Sequence, residues 1–210
     1  MMPLVDIDDF LPLVKLYART VPDVVAERFI RKAARDFCRK TRIWHDIYTM
    51  TVKETLDQTA CSIPDAEILE IEHAKIGDQE LIPKTPAELD EMLSDWSDAT
   101  VTAGSSSYIT QLGANSISLV PRQAGSLRMR LFLIPTKDAY NLPAILHDEH
   151  GEAIGQGAAA GALLVPGTEY TNPGAAADLR REFNRLCATQ KWRGAKNKAG
   201  ARLRSKGRYF

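Results

Sequence analysis

The chain has 210 residues, 27 basic and 27 acidic, and its formal net charge is zero. A hydrophobic share of 44% suits a soluble protein with a sizeable core, and the size allows one domain, or one domain carrying an inserted second. The balance is an average of unlike parts: residues 1–182 hold 18 basic and 27 acidic side chains, whereas nine basic and no acidic residues follow from Phe183 onward.

Cys38, Cys61 and Cys187 are far apart and form no Cys-x-x-Cys. Neither a disulfide framework nor a zinc knuckle is indicated, and reduced thiols in a cytosolic setting are the simple expectation. "MMPLVDIDDF" lacks the basic and apolar regions of a signal peptide. "AIGQGAAAGALLV" falls short of the roughly 20 apolar residues that a bilayer requires. Neither secretion nor membrane insertion is expected.

Two helices open the chain. In "DDFLPLVKLYART", Phe10, Leu13, Val14 and Tyr17 share a face, with Asp8 or Asp9 as cap and Pro12 near the start, where a helix tolerates it. "PDVVAERFIRKAARDFCRKTRIW" repeats the period at Ala26, Phe29, Ile30, Ala33 and Phe37, with Asp23 as N-cap. The texture then changes. "DIYTMTVKET", "AEILEIEHAKI", "SYITQL", "NSISLVP" and "SLRMRLFLIPT" read as strands. In the last, Leu127, Met129, Leu131 and Leu133 share one face and Arg128 and Arg130 the other. "TPAELDEML" predicts a short helix, "SDATVTAGSSS" a loop, and Gly77-Asp78 and Gly113-Ala114-Asn115 turns. Helical patterning returns from about Pro143 to Val165 and stops at "VPG". A last helix starts with Asn172 as cap and Pro173 in the first helical position.

The order predicts an α+β fold. Residues 1–44 and 143–190 would form a bundle of about four helices, two N-terminal and two C-terminal. Residues 45–142 would be a β-rich insertion domain, and 191–210 an extended basic C-terminal arm.

Sites for chemistry are scarce. "GQGAAAG" (155–161) superficially matches a dinucleotide fingerprint, but the "ILHDEHGEAI" before it is helical where that fingerprint needs a strand. Gly151, Gly155, Gly157, Ala159 and Gly161 instead put small residues where another helix, of this chain or of a neighbouring subunit, can approach closely. His147 and His150 are spaced to share a helix face, but no third metal ligand is suggested, and a solvated polar face is the simpler reading. "TAGSSSY" lacks the Gly-Lys-Ser/Thr of a phosphate loop. No catalytic residue, cofactor or metal is expected, and the protein does not read as an enzyme.

The C-terminal stretch reads as an interaction arm. Lys191, Arg193, Lys196 and Lys198, then Arg202, Arg204, Lys206 and Arg208, stand among Gly, Ala and Ser with no acidic residue. Such a segment cannot bury enough apolar surface to order itself. Trp192, Tyr209 and Phe210 supply aromatic anchors, and arginine suits bidentate pairing with carboxylate or phosphate. The arm fits an acidic protein surface or nucleic acid.

The order of segments carries a resemblance. "VPDVVAERFIRKAARDFCRKTRIW", with Phe37, Cys38, Thr41 and Trp44, resembles the opening signature of phage head-to-tail connector proteins, the adaptor or head-completion proteins of short-tailed and related tailed phages. "LVPRQAGSLRMRLFLIPTKDAYNLPAILHDEHGEAIGQGAAAGALLVPG" is similar to a second stretch of that family, and Trp96 and "GTEYTNPGAAADLRREF" fit as well. The likeness covers about Val21 to Phe183. It implies a virion protein, made in the host cytoplasm and placed at the portal vertex in a dodecameric ring. Its partners would be other copies of itself, the portal protein and a tail nozzle or tail tube protein, with genomic DNA passing without sequence specificity. No family position maps onto residues 191–210, so docking of the arm on the portal is an inference from architecture and charge. The alternative is a DNA-binding module that grips phosphates with its basic tail.

Overall fold

The computed structural model describes residues 3–93, 95–98 and 104–196, the last six as backbone. The chain divides into two compact units, one of Trp44–Pro143 with the chain up to Leu4, the other of Val5–Ile43 with the chain from Ala144 on.

The helical unit begins after a short strand, β1 (Leu4–Asp6). A 3-10 turn, Ile7–Phe10, leads into helix α1 (Leu11–Lys15), and α2 (Asp23–Thr41) follows. The first helix is shorter than the sequence predicts. Pro12 stands at its N-terminus, so only the residues after it extend a regular ladder. Pro22 occupies the N-cap of α2, and Asp23, the predicted cap, is in the first turn. The helix ends at Arg42, left-handed at φ 54° and ψ 34°, whose N–H donates to the Cys38 carbonyl at 2.8 Å.

The β unit holds β2 (His45–Val52), β3 (Gln58–Thr59), β4 (Ala66–Ile76), β5 (Gln79–Pro83), helix α3 (Pro86–Met92), β6 (Tyr108–Gly113), β7 (Ser116–Val120), β8 (Gly125–Pro135) and β9 (Asn141–Pro143). Seven strands form one sheet in the order β2-β8-β4-β5-β6-β7-β3, antiparallel except for β5 and β6. The sheet is nearly closed. Register shifts in β4 at Ile68/Glu70 and Ile71/His73 bend that strand. Its first residues meet the β6–β7 turn: the Ile68 N–H donates to the Asn115 Oδ1 and the Asn115 Nδ2 donates to the Ala66 carbonyl, both at 3.0 Å. Leu127, Met129, Leu131 and Leu133 of β8 are fully buried, and Arg128 and Arg130 between them are exposed. The β content exceeds the sequence expectation, since β3 and β5 form where no strand is predicted.

Three more helices complete the helical unit: α4 (Ala144–Asp148), α5 (Gly151–Ala162) and α6 (Pro173–Lys196). The unit differs from the predicted bundle of about four helices. The first helix is a short turn and a half, and the single helix expected over 143–165 is broken at Glu149-His150. Helix α6 runs to Lys196, so residues 191–196 are helical where an extended arm is predicted. Asn172 accepts from the Ala175 N–H at 3.1 Å and starts α6 as a side-chain cap.

Helix α5 is the centre of this unit. Every residue from Gly151 to Ala162 is buried except Glu152. A Cβ on Gly155 would lie 2.9 Å from the Leu13 carbonyl oxygen of α1, and one on Gly157 would lie 2.8 Å from the Phe183 ring of α6. A Cβ on Gly161 would strike the Phe29 ring of α2.

Gly155→Ala therefore sets a clash with backbone against better helix propensity. Overpacking costs about 1–3 kcal/mol and the propensity gain returns about 1 kcal/mol. A lower midpoint in chemical denaturation is expected; an unchanged or higher midpoint would show that α1 does not lie against this glycine.

Candidate interaction surfaces

Cys38, Cys61, Cys187 and His150 are buried, whereas His147 is half-buried and His45 and His73 are exposed. Cys38 is fully buried and burial pushes its thiol far up; Cys187 is raised to about 11, by burial first and foremost. Neither is a thiolate near neutral pH. His150 is buried with its ring against Phe37, centroids 5.0 Å apart. The His147 ring meets Phe10 edge-on at 5.2 Å, and its Nδ1 is 3.1 Å from Asp148 Oδ1. The two histidines thus pack against different aromatic rings. Among the described residues, no group of three or more His, Cys, Asp or Glu is placed to share a metal ion. Gly155 to Gly161 fall in the interior of α5, and the element before α5 is helix α4. A phosphate-binding turn between strand and helix is not formed there. Gly151, with its would-be Cβ 2.8 Å from the Leu13 side chain, and the buried Ala159 belong to the same close packing.

What remains for function is surface. On the β unit, α3 is fixed by a capping box: the Thr85 Oγ1 accepts from the Glu88 N–H at 3.3 Å, and Glu88 Oε2 accepts from the Thr85 N–H at 2.9 Å. Leu89 of α3 is buried with Trp96 and Val120, and Trp96 Nε1 donates to Asp90 Oδ1 at 2.7 Å. Met92 and Leu93, at the end of α3, stay exposed, as does Ile82 on β5. Ile47, on edge strand β2, is exposed opposite Arg130 of β8.

On the helical unit the charge is segregated. Residues 5–27 carry five acidic and two basic side chains, and residues 28–42 carry seven basic and one acidic. The acidic end gathers Asp6, Asp8, Asp9, Asp23 and Glu27. The Asp8 carboxyl is held above its ordinary value, first by lost solvation and then by Asp6, Glu27, Asp23 and Asp9. At the other end of α2 lies an open groove of about 370 Å³, lined by Arg39, Lys40 and Arg42 of the α2 terminus and by Asn184, Cys187 and Ala188 of α6. Lys40 Nζ donates to Asn184 Oδ1 at 2.7 Å and stands 5.1 Å from the centre of the Phe183 ring. Sequence reasoning missed this groove. The signal was the run of basic residues in the second half of α2, but its α6 wall comes from far along the chain.

Of the predicted arm, Lys191, Trp192, Arg193 and Lys196 are on the last turns of α6. Lys198, Arg202, Arg204, Lys206, Arg208, Tyr209 and Phe210 lie outside the described residues. No helix among the described residues is long and apolar enough to cross a membrane.

The described surface thus offers exposed apolar side chains on the β unit and segregated charge on the helical unit. The family model of the SU10 adaptor protein matches residues 5–205. The chain belongs to that family, which is one of phage head-to-tail adaptors, and its role is accordingly structural. Comparison with curated proteins gives no match.

The capping box makes a measurable claim about α3. Glu88 is held down to about 2 by the Thr85 N–H first, then by the Lys84 ammonium and the Thr85 hydroxyl. A depressed carboxylate stabilises the fold above its ordinary value near 4.5 and loses that contribution as pH falls towards 2. Carboxyl NMR titration is expected to place the Glu88 midpoint well below those of unpaired glutamates. Thr85→Ala is expected to raise it, and a midpoint at the ordinary value in the wild type would remove the box.

Proposed function

We propose that this protein is the structural head-to-tail adaptor of a phage virion. Copies form a ring, of twelve by the family resemblance, that joins the portal to the tail and leaves an axial channel for DNA. The observation that carries this reading is the family match over residues 5–205. The β unit, with exposed Met92, Leu93 and Ile82, is the tail-facing surface, and weak contacts repeated around a ring give firm attachment through effective concentration. The protein acts without catalysis and resides at the portal vertex. Electron microscopy of intact particles tests this directly: a ring of this chain between portal and tail is expected, and its absence from that vertex would overturn the reading.

The arm, Lys191 to Phe210, docks on the portal. Eight basic residues without an acid, and three aromatic side chains, support this assignment. Losing an interface of paired charges costs about 2–5 kcal/mol, or tenfold in affinity for each 1.4 kcal/mol. Removing residues 197–210, which keeps all of the described α6, is expected to weaken portal binding by about tenfold or more at moderate salt. If portal binding survives while salt-sensitive binding of duplex DNA disappears, the basic tail is a nucleic-acid grip and the portal assignment falls.

A further inference from the structure

We propose that the basic groove at the C-terminal end of α2 is the receptor for the acidic end of the helical unit of a second copy, so that copies join head to tail through α2. The inference rests on the ring reading above and names the contact that would build the ring.

Both halves of the contact are present on one unit. The groove has a cationic rim, Arg39, Lys40 and Arg42, and a floor that includes the buried Cys187. The Cys187 thiol stays protonated at neutral pH, so the floor adds no negative charge. The acidic end has the complementary build. Leu16 is 69% exposed and Val24 77% exposed. A 2.8 Å ion pair between Lys15 and Asp23 brings their two neighbourhoods together. Asp6, Asp8, Asp9 and Glu27 complete the acidic surround. Exposed apolar side chains in the same stretch as charged ones are the combination that protein interfaces use.

The occupant follows from sign and distance. The C-terminal arm carries only positive charge, so it is repelled by the groove. The acidic end of the same copy is out of reach: α2 has 19 residues, about 28 Å at 1.5 Å per residue. A second copy meets neither obstacle. Two different patches on one chain make a heterologous contact, which generates a ring when the rotation closes.

The simpler account is that these charges only complement the dipole of α2, acids at its N-terminus and bases at its C-terminus. That accounts for Asp23, Arg39 and Lys40. Asp6 likewise caps the 3-10 turn, accepting from the Asp8 N–H at 2.9 Å, with Asp8 and Asp9 in its first turn; local capping does not account for the exposure of the apolar Leu16 and Val24. Asp36 acts on Cys187 together with Lys40, while the groove's described lining holds Arg39, Lys40 and Arg42 and no acid.

The test uses two full-length variants, Arg39→Glu with Arg42→Glu, and Asp8→Lys with Asp9→Lys. Self-association is measured by sedimentation, alone and with portal present. A zero-length carbodiimide cross-linker applied to mixed isotope-labelled and unlabelled protein reports contacts between copies. Each variant alone is expected to associate about tenfold or more weakly than wild type, because like charges then face each other. An equimolar mixture of the two is expected to recover association, since each intact patch again finds an opposite one. Cross-links from Asp8, Asp9 or Asp23 to Lys40 of another copy should accompany it. A variant that had merely unfolded could not be rescued by the other.

Equal association of wild type and both variants overturns the groove contact and leaves the ring reading standing. Loss in both variants without recovery in the mixture also overturns it. If reversal of the groove spares self-association but abolishes binding of duplex DNA or portal, the groove serves that partner and the inference is wrong. If wild-type protein associates neither alone nor with portal, the ring reading falls with it.

Discussion

Close approach to α5 is the constraint on which the helical unit depends. Glycine at 151 and 155 admits α1, glycine at 157 admits Phe183 of α6, and glycine at 161 admits Phe29 of α2. Glycine in a helix interior costs about 1 kcal/mol relative to alanine. That cost is offset by the many small dispersion attractions that arise when helices meet without intervening side chains. The arrangement also fixes chain organisation. Helices α1 and α2 come from the start of the chain, α5 and α6 from the end, so this unit closes only when the two ends are brought together. Residues 44–143 are then necessarily an excursion between two halves of one packed unit, and they need their own core, which the nearly closed sheet supplies.

The residues that carry the early family resemblance have structural work. Phe37, Cys38, Thr41 and Trp44 are all buried. The Thr41 hydroxyl donates to the Phe37 carbonyl at 2.8 Å, and Arg42 turns left-handed to end the helix. The signature therefore encodes how α2 packs and stops. The surface of the same helix is free to carry charge, and it changes from acidic to basic along its length. One element serves the core with Ile30, Ala33 and Phe37 and presents opposite charges at its two ends. That division puts Cys38 in the interior while Arg39 and Lys40, next to it in sequence, stay on the outward face.

Some of this was legible in the sequence because the physics is local. The alternation of β8 gives its buried row of Leu127, Met129, Leu131 and Leu133, and Asn172-Pro173 marks the start of α6. Other features depend on partners far along the chain. "QELIP" has no strand periodicity of its own; it becomes β5 because Gln79 to Leu81 fold back on Ala74 to Ile76 of β4 and because Ile82 and Pro83 pair with Tyr108 and Ile109 far along the chain. The small residues of 151–161 read as one stripe for one neighbour, yet the glycines face three neighbours and the helix is buried almost all round. The basic groove was invisible for the same reason. Arg39, Lys40 and Arg42 form a surface feature only once Asn184, Cys187 and Ala188 are set beside them.

A chain with no net charge but segregated charge behaves differently from one that is uniformly neutral. At physiological ionic strength, exposed charges are screened beyond about 8 Å. The acidic and basic ends of α2 are farther apart than that, so each acts as an independent local patch. Neither patch steers association from a distance, and a single exposed ion pair contributes only about 0–1 kcal/mol. Such a surface favours contact only when several carboxylates and guanidinium groups meet at once and apolar side chains such as Leu16 and Val24 are covered in the same step. Once copies are held side by side, the effective concentration rises and the same contacts become collectively firm. Segregated charge of this kind therefore suits contacts that are weak singly and firm only when repeated.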